Sequence, residues 1–201
     1  MPLSHSLERT LLESASLPSE QEDAHLVQAS QQGDQDAFAI LVQRHQRRIF
    51  TLVFRLLQDD DEASDVTQEV FVAAWQSLPA FCGEARFPNW LSRMAYHGCL
   101  RQLERRERTR HAAMQAEQML SGEGLEKQAE ESGERREPQA LVSKHLSLLP
   151  TRYRMVLILR HLQERTYEDM ADILSLPIGT IKTYLFRARN LLKERLLAQH
   201  L

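Results

Sequence analysis

Apolar residues recur every three or four positions along most of this chain, which is the period of an α-helix and not of a strand. Ala37, Phe38, Leu41, Val42 and His45 mark one face, and Ile49, Val53 and Leu56 carry it on. Val66, Val70, Ala73 and Ala74, with Phe71 beside them, form a second stripe. Glycine and proline, the residues that interrupt helices, number only seven each in 201 residues. With 42% hydrophobic residues there is enough apolar material for a core, and the fold class is all-α.

The breaks in the pattern set the organisation. Residues 1–23 are polar and acidic; Leu7, Leu11 and Leu12 allow a short amphipathic turn, but such a start more often stays disordered. Residues 24–110 form a first helical domain. In it Gly33-Asp34 reads as a stop followed by an N-cap. The acids of QDDDEASD suit the positive end of a helix dipole. PAFCGEARFPNW is a loop, marked by Pro79, Gly83 and Pro88, and a last helix runs from about Pro88 to Arg108. Residues 111–139 then turn acidic, with Glu117, Glu123, Glu126, Glu130, Glu131, Glu134 and Glu137 and few large apolar side chains, the composition of a flexible linker. Helical patterning resumes over 140–201. The expected architecture is two small helical domains joined by a flexible acidic linker.

Several classes of function are excluded. Cys82 and Cys99 make no CxxC pair and read as buried thiols in a reducing cytosol. The eight histidines never fall in metal-ligand spacing, so neither a metal nor another cofactor is expected. No nucleophile–base pair or phosphate loop is present, which argues against an enzyme. No signal core or bilayer-length apolar run appears, and a cytoplasmic location is expected. The net charge of −3 rules out a uniformly basic nucleic-acid coat, so the distribution of charge matters more than its sum.

That distribution is informative at the C-terminal end. In TYEDMADILSLPIGTIKTYLFRARNLLK, Thr166 with Asp169 three residues on makes a capping box. Tyr167, Met170, Ala171 and Leu174 share one face of the helix that follows. Pro177 fits the first position of a second helix, on which Ile181, Leu185, Ala188 and Leu192 are the inward residues. Small Ala171 and Gly179 are expected to let the two helices approach. Lys182, Thr183, Phe186, Arg187 and Asn190 are left for the outer face. A helix-turn-helix of this kind places its second helix in the DNA major groove, where Arg and Lys meet guanine edges and phosphates, Thr the backbone, and Phe a thymine methyl. The alternative is an αα-hairpin with a solvated basic face.

The first domain carries more than a simple regulator needs. Asp65, Gln68 and Glu69 lie beside the apolar stripe of DVTQEVFVAAW and either meet a partner protein or form a solvated acidic face. Further on, Phe81, Phe87, Trp90 and Tyr96 interleave with Arg86, Arg93, Arg101, Arg105 and Arg106. Aromatic faces beside cations suit single-stranded DNA; core aromatics with a solvated basic end are the alternative. Trp90 and Leu91 read as core.

Taken in order, GDQDAFAILVQRHQRRIF, DVTQEVFVAAW, FCGEARFPNWLSRMA and the stretch from Leu146 to Lys193 resemble the successive segments of a bacterial sigma factor of the extracytoplasmic-function class. The likeness covers about Ala24 to Leu196. It implies core RNA polymerase as a partner, reached at the clamp helices of the largest subunit and the flap of the second-largest, and promoter DNA as the other. An anti-sigma factor is a further partner of the kind this family often uses. By the resemblance, Asp65, Gln68, Glu69, Phe71 and Trp75 would dock on the clamp helices. Phe81, Gly83, Glu84, Arg86, Phe87, Arg93, His97 and Arg101 would read and melt the −10 element. Thr180, Lys182, Thr183, Phe186, Arg187 and Asn190 would read the −35 element. The family often has Asn where His97 stands and Asp where Arg101 stands. A stand-alone helix-turn-helix regulator of duplex DNA is the competing expectation.

Overall fold

The computed structural model describes residues 20–120 and 145–197, and every regular element among them is helical. The expected tail over 1–19, the expected linker over 121–139 and residues 140–144 and 198–201 lie outside the described residues. The first half consists of α1 (Glu20–Gln31), α2 (Gln35–Leu57), α3 (Asp60–Ser77) and α4 (Phe87–Leu120), with a 3-10 turn at Leu78–Ala80. In the second half α5 (Thr151–Leu157) runs on as a π-helical turn over Ile158–Leu162, and α6 (Tyr167–Leu174) and α7 (Ile178–Leu197) follow.

Local chemistry sets these limits. Gly33 sits at φ 96°, a left-handed conformation that reverses the chain between α1 and α2. Asp34 then caps α2, its Oδ1 accepting from the Ala37 N–H at 3.0 Å. At the other end Gln58 turns left-handed and its N–H donates to the Phe54 carbonyl at 2.8 Å. Asp59 caps α3 at once, and Asp60, Asp61 and Glu62 fill its first turn, where the helix dipole favours carboxylates.

The first half packs Leu41, Leu52, Val53 and Leu56 of α2 against Ala63, Val66, Val70 and Ala74 of α3 and Leu91, Ala95 and Cys99 of α4, all buried. A Cβ at Gly98 would stand 3.0 Å from Val66 Cγ1, so the approach of α4 to α3 depends on a glycine there. Arg106 ties the two helices further along, pairing with Glu62 at 2.7 Å and donating to the Leu57 carbonyl at 3.0 Å. Asp23 and His45 form a buried pair at 2.8 Å between α1 and α2; burial outweighs the carboxylate and pushes the imidazole pKa below its ordinary value.

In the second half Tyr153, Met155, Val156 and Leu159 meet Met170 and Ile173 of α6 and Ile181, Leu185 and Ala188 of α7. The capping box of α6 is formed in both directions: Thr166 Oγ1 accepts from the Asp169 N–H at 3.0 Å, and Asp169 Oδ2 accepts from the Thr166 N–H at 3.2 Å.

Four features differ from the expectation. The first helix begins at Glu20, inside the stretch read as tail, because Asp23 has a buried partner in His45. α4 continues to Leu120, past the expected end near Arg108, sustained by i,i+3 and i,i+4 pairs of Glu104 with Arg108 and of Glu107 with Arg110 and His111. Cys82 is exposed, since it sits on the loop between Phe81 and Phe87, while Cys99 is buried as expected. Gly179 makes no close helix approach, as a Cβ there would meet nothing within 4 Å.

Candidate nucleic-acid interface

Three surfaces carry the candidate residues. On α3, Asp65, Gln68 and Glu69 are exposed and stand over one face of the helix. Val72 extends that face one turn further and is 57% exposed, an apolar side chain that the sequence reading passed over. Phe71 is buried and cannot be a contact residue: its ring belongs to the core beneath this face. Trp75 is half-buried, its ring centroid 5.0 Å from that of Phe38. The face is therefore an acidic and polar strip with one apolar centre, supported from below by Phe71 and Trp75.

The second surface is built around the loop between the 3-10 turn and α4. Gln31 of α1 pins its start, with Nε2 donating to the carbonyls of Leu78 at 3.0 Å and Phe81 at 2.7 Å. Gly83 bends the loop at φ 78°. Phe81, Phe87 and Trp90 form a ring cluster with centroid distances of 6.0, 4.8 and 5.8 Å. Phe87 is buried under this cluster and its edge meets His45, so it shapes the loop and does not offer a free face for stacking. Phe81 is only half-buried. A cleft of about 330 Å³ opens between α1 and the loop, bordered by Asp23, Gln28, Phe81, Gly83, Arg86 and Phe87. Glu84 and Arg86 are exposed at its rim. Along α4, Arg93, His97 and Arg101 follow at successive helical turns; His97 and Arg101 are exposed, whereas the Arg93 guanidinium donates to the Asp172 carbonyl in the second half.

The third surface is α7. Ile181, Leu185 and Ala188 are buried, which turns Lys182, Thr183, Phe186, Arg187 and Asn190 to the outside, with Thr180 half-buried at the start. Phe186 is 67% exposed, a large aromatic that packing within the chain does not explain. Thr183 Oγ1 donates to the Gly179 carbonyl at 2.9 Å. Lys182 Nζ lies 5.6 Å from the centre of the Tyr167 ring, a cation–π contact that steadies it beside α6. Arg189, close to His161, adds a cation on the flank of this surface.

A fourth cluster lies between the two halves, and sequence reasoning missed it. Asn89 of α4 donates to Asp169 of α6 at 2.8 Å, a contact eighty positions apart that no local pattern announces. Burial works to raise the Asp169 pKa, but the hydrogen bonds from Asn89 and Thr166, with Arg165 nearby, outweigh it and hold the carboxyl below its usual range. Burial, with Arg48 beside it, pushes Arg165 down to about 10.

Among the described residues no group of three or more His, Cys, Asp or Glu is placed to hold a metal ion, and no helix is long and apolar enough to cross a membrane.

The sequence matches the profile of sigma-70 region 2 over residues 41–109 and that of sigma-70 region 4 over residues 141–192. It is 33% identical to the RNA polymerase sigma-H factor of Pseudomonas aeruginosa over 88% of this chain and 95% of that protein. It is 34% identical to the ECF RNA polymerase sigma-E factor of Escherichia coli K12, over 86% of this chain and 93% of that one. Among solved structures it resembles CnrH, determined in complex with the cytosolic domain of CnrY, with a TM-score of 0.65 and 26% identity over 88% of this chain and 98% of that one. The loop-bearing first half falls under the region 2 match and the helix-turn-helix under the region 4 match. The chain thus belongs to the extracytoplasmic-function class of the sigma-70 family, and it is a sigma factor that directs promoter-specific transcription initiation by RNA polymerase.

Proposed function

We propose a division of labour between the two halves. Residues 24–110 act as region 2: the strip of Asp65, Gln68, Glu69 and Val72 on α3 docks on the clamp helices of the largest polymerase subunit. The loop with Phe81, Gly83, Glu84 and Arg86, and the α4 face with Arg93, His97 and Arg101, read and melt the −10 element. Residues 140–201 act as region 4. There α7 enters the major groove of the −35 element with Lys182, Thr183, Phe186, Arg187 and Asn190, Thr180 lies near a phosphate, and the domain is seated on the flap of the second-largest subunit. The stretch from the end of α4 to residue 139 joins the two as an acidic linker, and the protein works in the cytoplasm.

The single observation that carries this reading is Phe186. A ring two-thirds exposed in the middle of a basic helix face has no role inside the fold. Against a thymine methyl in the major groove it has one. On α3 the combination of an exposed Val72 with three polar neighbours supports a protein contact in the same way. CnrH was solved with the cytosolic domain of CnrY bound; a protein partner of that sort, an anti-sigma factor, is part of the proposal for this chain.

The test is transcription in vitro with core polymerase on a library of randomised promoters. Selection of a sequence pair spaced as −10 and −35 elements supports the division of labour. A selected motif confined to one element, unchanged when α7 or the loop is altered, would overturn the assignment of the altered surface.

A further inference from the structure

We propose that α1 positions the −10-reading loop, and that Gln31, the last residue of that helix, is the positioning residue that governs how fast a bound promoter melts. The inference rests on the −10 reading above and adds to it a residue that acts through the loop rather than on DNA. The loop leaves the 3-10 turn at Phe81, whose N–H donates to the Leu78 carbonyl at 3.0 Å. It joins α4 where the Asn89 and Trp90 N–H groups donate to the Arg86 carbonyl. Among the described residues no backbone hydrogen bond ties residues 82–85 in between. The course of the loop is therefore set at its two ends, and α1 acts on both. At the entry Gln31 Nε2 donates to the carbonyls of Leu78 at 3.0 Å and Phe81 at 2.7 Å. At the exit the His45 ring meets Phe87 edge-on, with centroids 5.6 Å apart, and His45 is bonded in turn to Asp23 of α1 at 2.8 Å.

The end of α1 is itself held. Asp23 and Val27 are buried, and Arg44 of α2 pairs with Glu22 at 2.9 Å. The Asp34 N–H closes back on the Ala29 carbonyl at 3.2 Å, just after Gly33 turns the chain. Gln31 therefore stands at a fixed place, yet its side chain is exposed and belongs to no core. Its two acceptors bracket the 3-10 turn, so one amide fixes the Phe81 peptide against that turn. This sets where the Phe81 ring meets Phe87 and Trp90 and where the bend at Gly83 begins. A loop whose geometry is set in advance captures an unstacked base without first being ordered. The gain falls on the melting step and not on the first encounter with duplex DNA. Each hydrogen bond of ordinary net strength shifts the ratio of ordered to disordered loop by about two- to tenfold.

The experiment uses the full chain in the holoenzyme. Opening of a promoter carrying 2-aminopurine in the −10 element is followed by stopped flow over a range of holoenzyme concentrations. This separates the half-saturating concentration from the limiting rate of melting. Gln31→Met keeps the length of the side chain and removes the donor. It should leave the thermal midpoint and the half-saturating concentration in place and lower the limiting rate by on the order of tenfold. Gln31→Lys restores a donor at similar reach and should recover the rate. A dye on the exposed Cys82 thiol, with buried Cys99 unlabelled, gives a second reading in the free protein. Its fluorescence anisotropy should fall in Gln31→Met and recover in Gln31→Lys. An unchanged limiting rate or an unchanged anisotropy in Gln31→Met overturns the inference. So does a loss confined to the half-saturating concentration, a slow rate that Gln31→Lys leaves uncorrected, or a thermal midpoint that falls with the rate. The −10 reading is judged apart by deleting Glu84 and Ala85, which leaves Gln31 and both of its acceptors in place. Normal melting by that variant sinks the −10 reading. Blocked melting by it, beside a wild-type rate in Gln31→Met, sinks the positioning role alone.

Discussion

Leu185 and Phe186 are neighbours on α7 and point opposite ways, which makes them a matched test of packing against DNA contact. Leu185 is 2% exposed and Phe186 is 67% exposed. Leu185→Ala empties a site between α5, α6 and α7 and should destabilise the fold by about 2–5 kcal/mol. Phe186→Ala removes almost no packing. A phenylalanine side chain presents roughly 150–250 Å², so about 100–170 Å² of this ring is open to a partner. Covering half of it at about 25 cal/mol per Å² gives ~1–2 kcal/mol, on the order of tenfold in promoter affinity. The measurements are urea denaturation of both variants and run-off transcription at limiting holoenzyme. Phe186→Ala should keep the wild-type midpoint and lose transcription by about that factor at limiting concentration. If it keeps full transcription and its original sequence preference, the ring does not touch DNA and the −35 assignment of this face fails. If it lowers the midpoint as far as Leu185→Ala, the placement of α7 is wrong.

The other predictions address the remaining surfaces. Asp65→Lys and Glu69→Lys should each weaken pull-down of core polymerase while leaving the thermal midpoint in place, since both side chains are exposed; undiminished pull-down by both variants sinks the clamp assignment. Arg187→Ala should reduce promoter use by about 1–3 kcal/mol and relax preference at one −35 position, whereas Lys182→Ala, if it meets phosphate alone, weakens all sequences alike. In the native protein an aromatic disulfide reagent should titrate Cys82 and spare Cys99, which burial pushes up to about 12; two fast thiols would contradict the packing of α4 on α3. Asp169 binds its proton less readily in the folded chain than in the unfolded one. The stability it contributes is complete above the unfolded carboxylate pKa and lost as pH falls through the depressed folded value. Asp169→Asn should therefore flatten the acid limb of the stability–pH curve, and an unaltered limb would show that the Asn89–Asp169 contact is not made in solution.

Much of this was legible because it is local. The capping box at Thr166 and Asp169, the N-cap at Asp34 and the inward positions Ile181, Leu185 and Ala188 of α7 follow from spacings of three or four residues and formed as read, while Leu192, the fourth expected inward residue, is only half-buried. The errors arose where burial depends on a distant partner. Phe71 lies beside the apolar stripe of its helix and is given a contact role only by the family resemblance, and Phe87 reads as a loop aromatic; one faces the core beneath α3 and the other closes the ring cluster against His45. Val72 was missed for the opposite reason, as a valine among apolar residues gives no sign that it points outward. The seam between the halves left no trace in the sequence at all. A seam made from Arg48, Asn89, Arg93, Arg154 and Asp169 reads, residue by residue, as ordinary polar surface. These contacts join positions far apart along the chain, so no reading of periodicity reveals them.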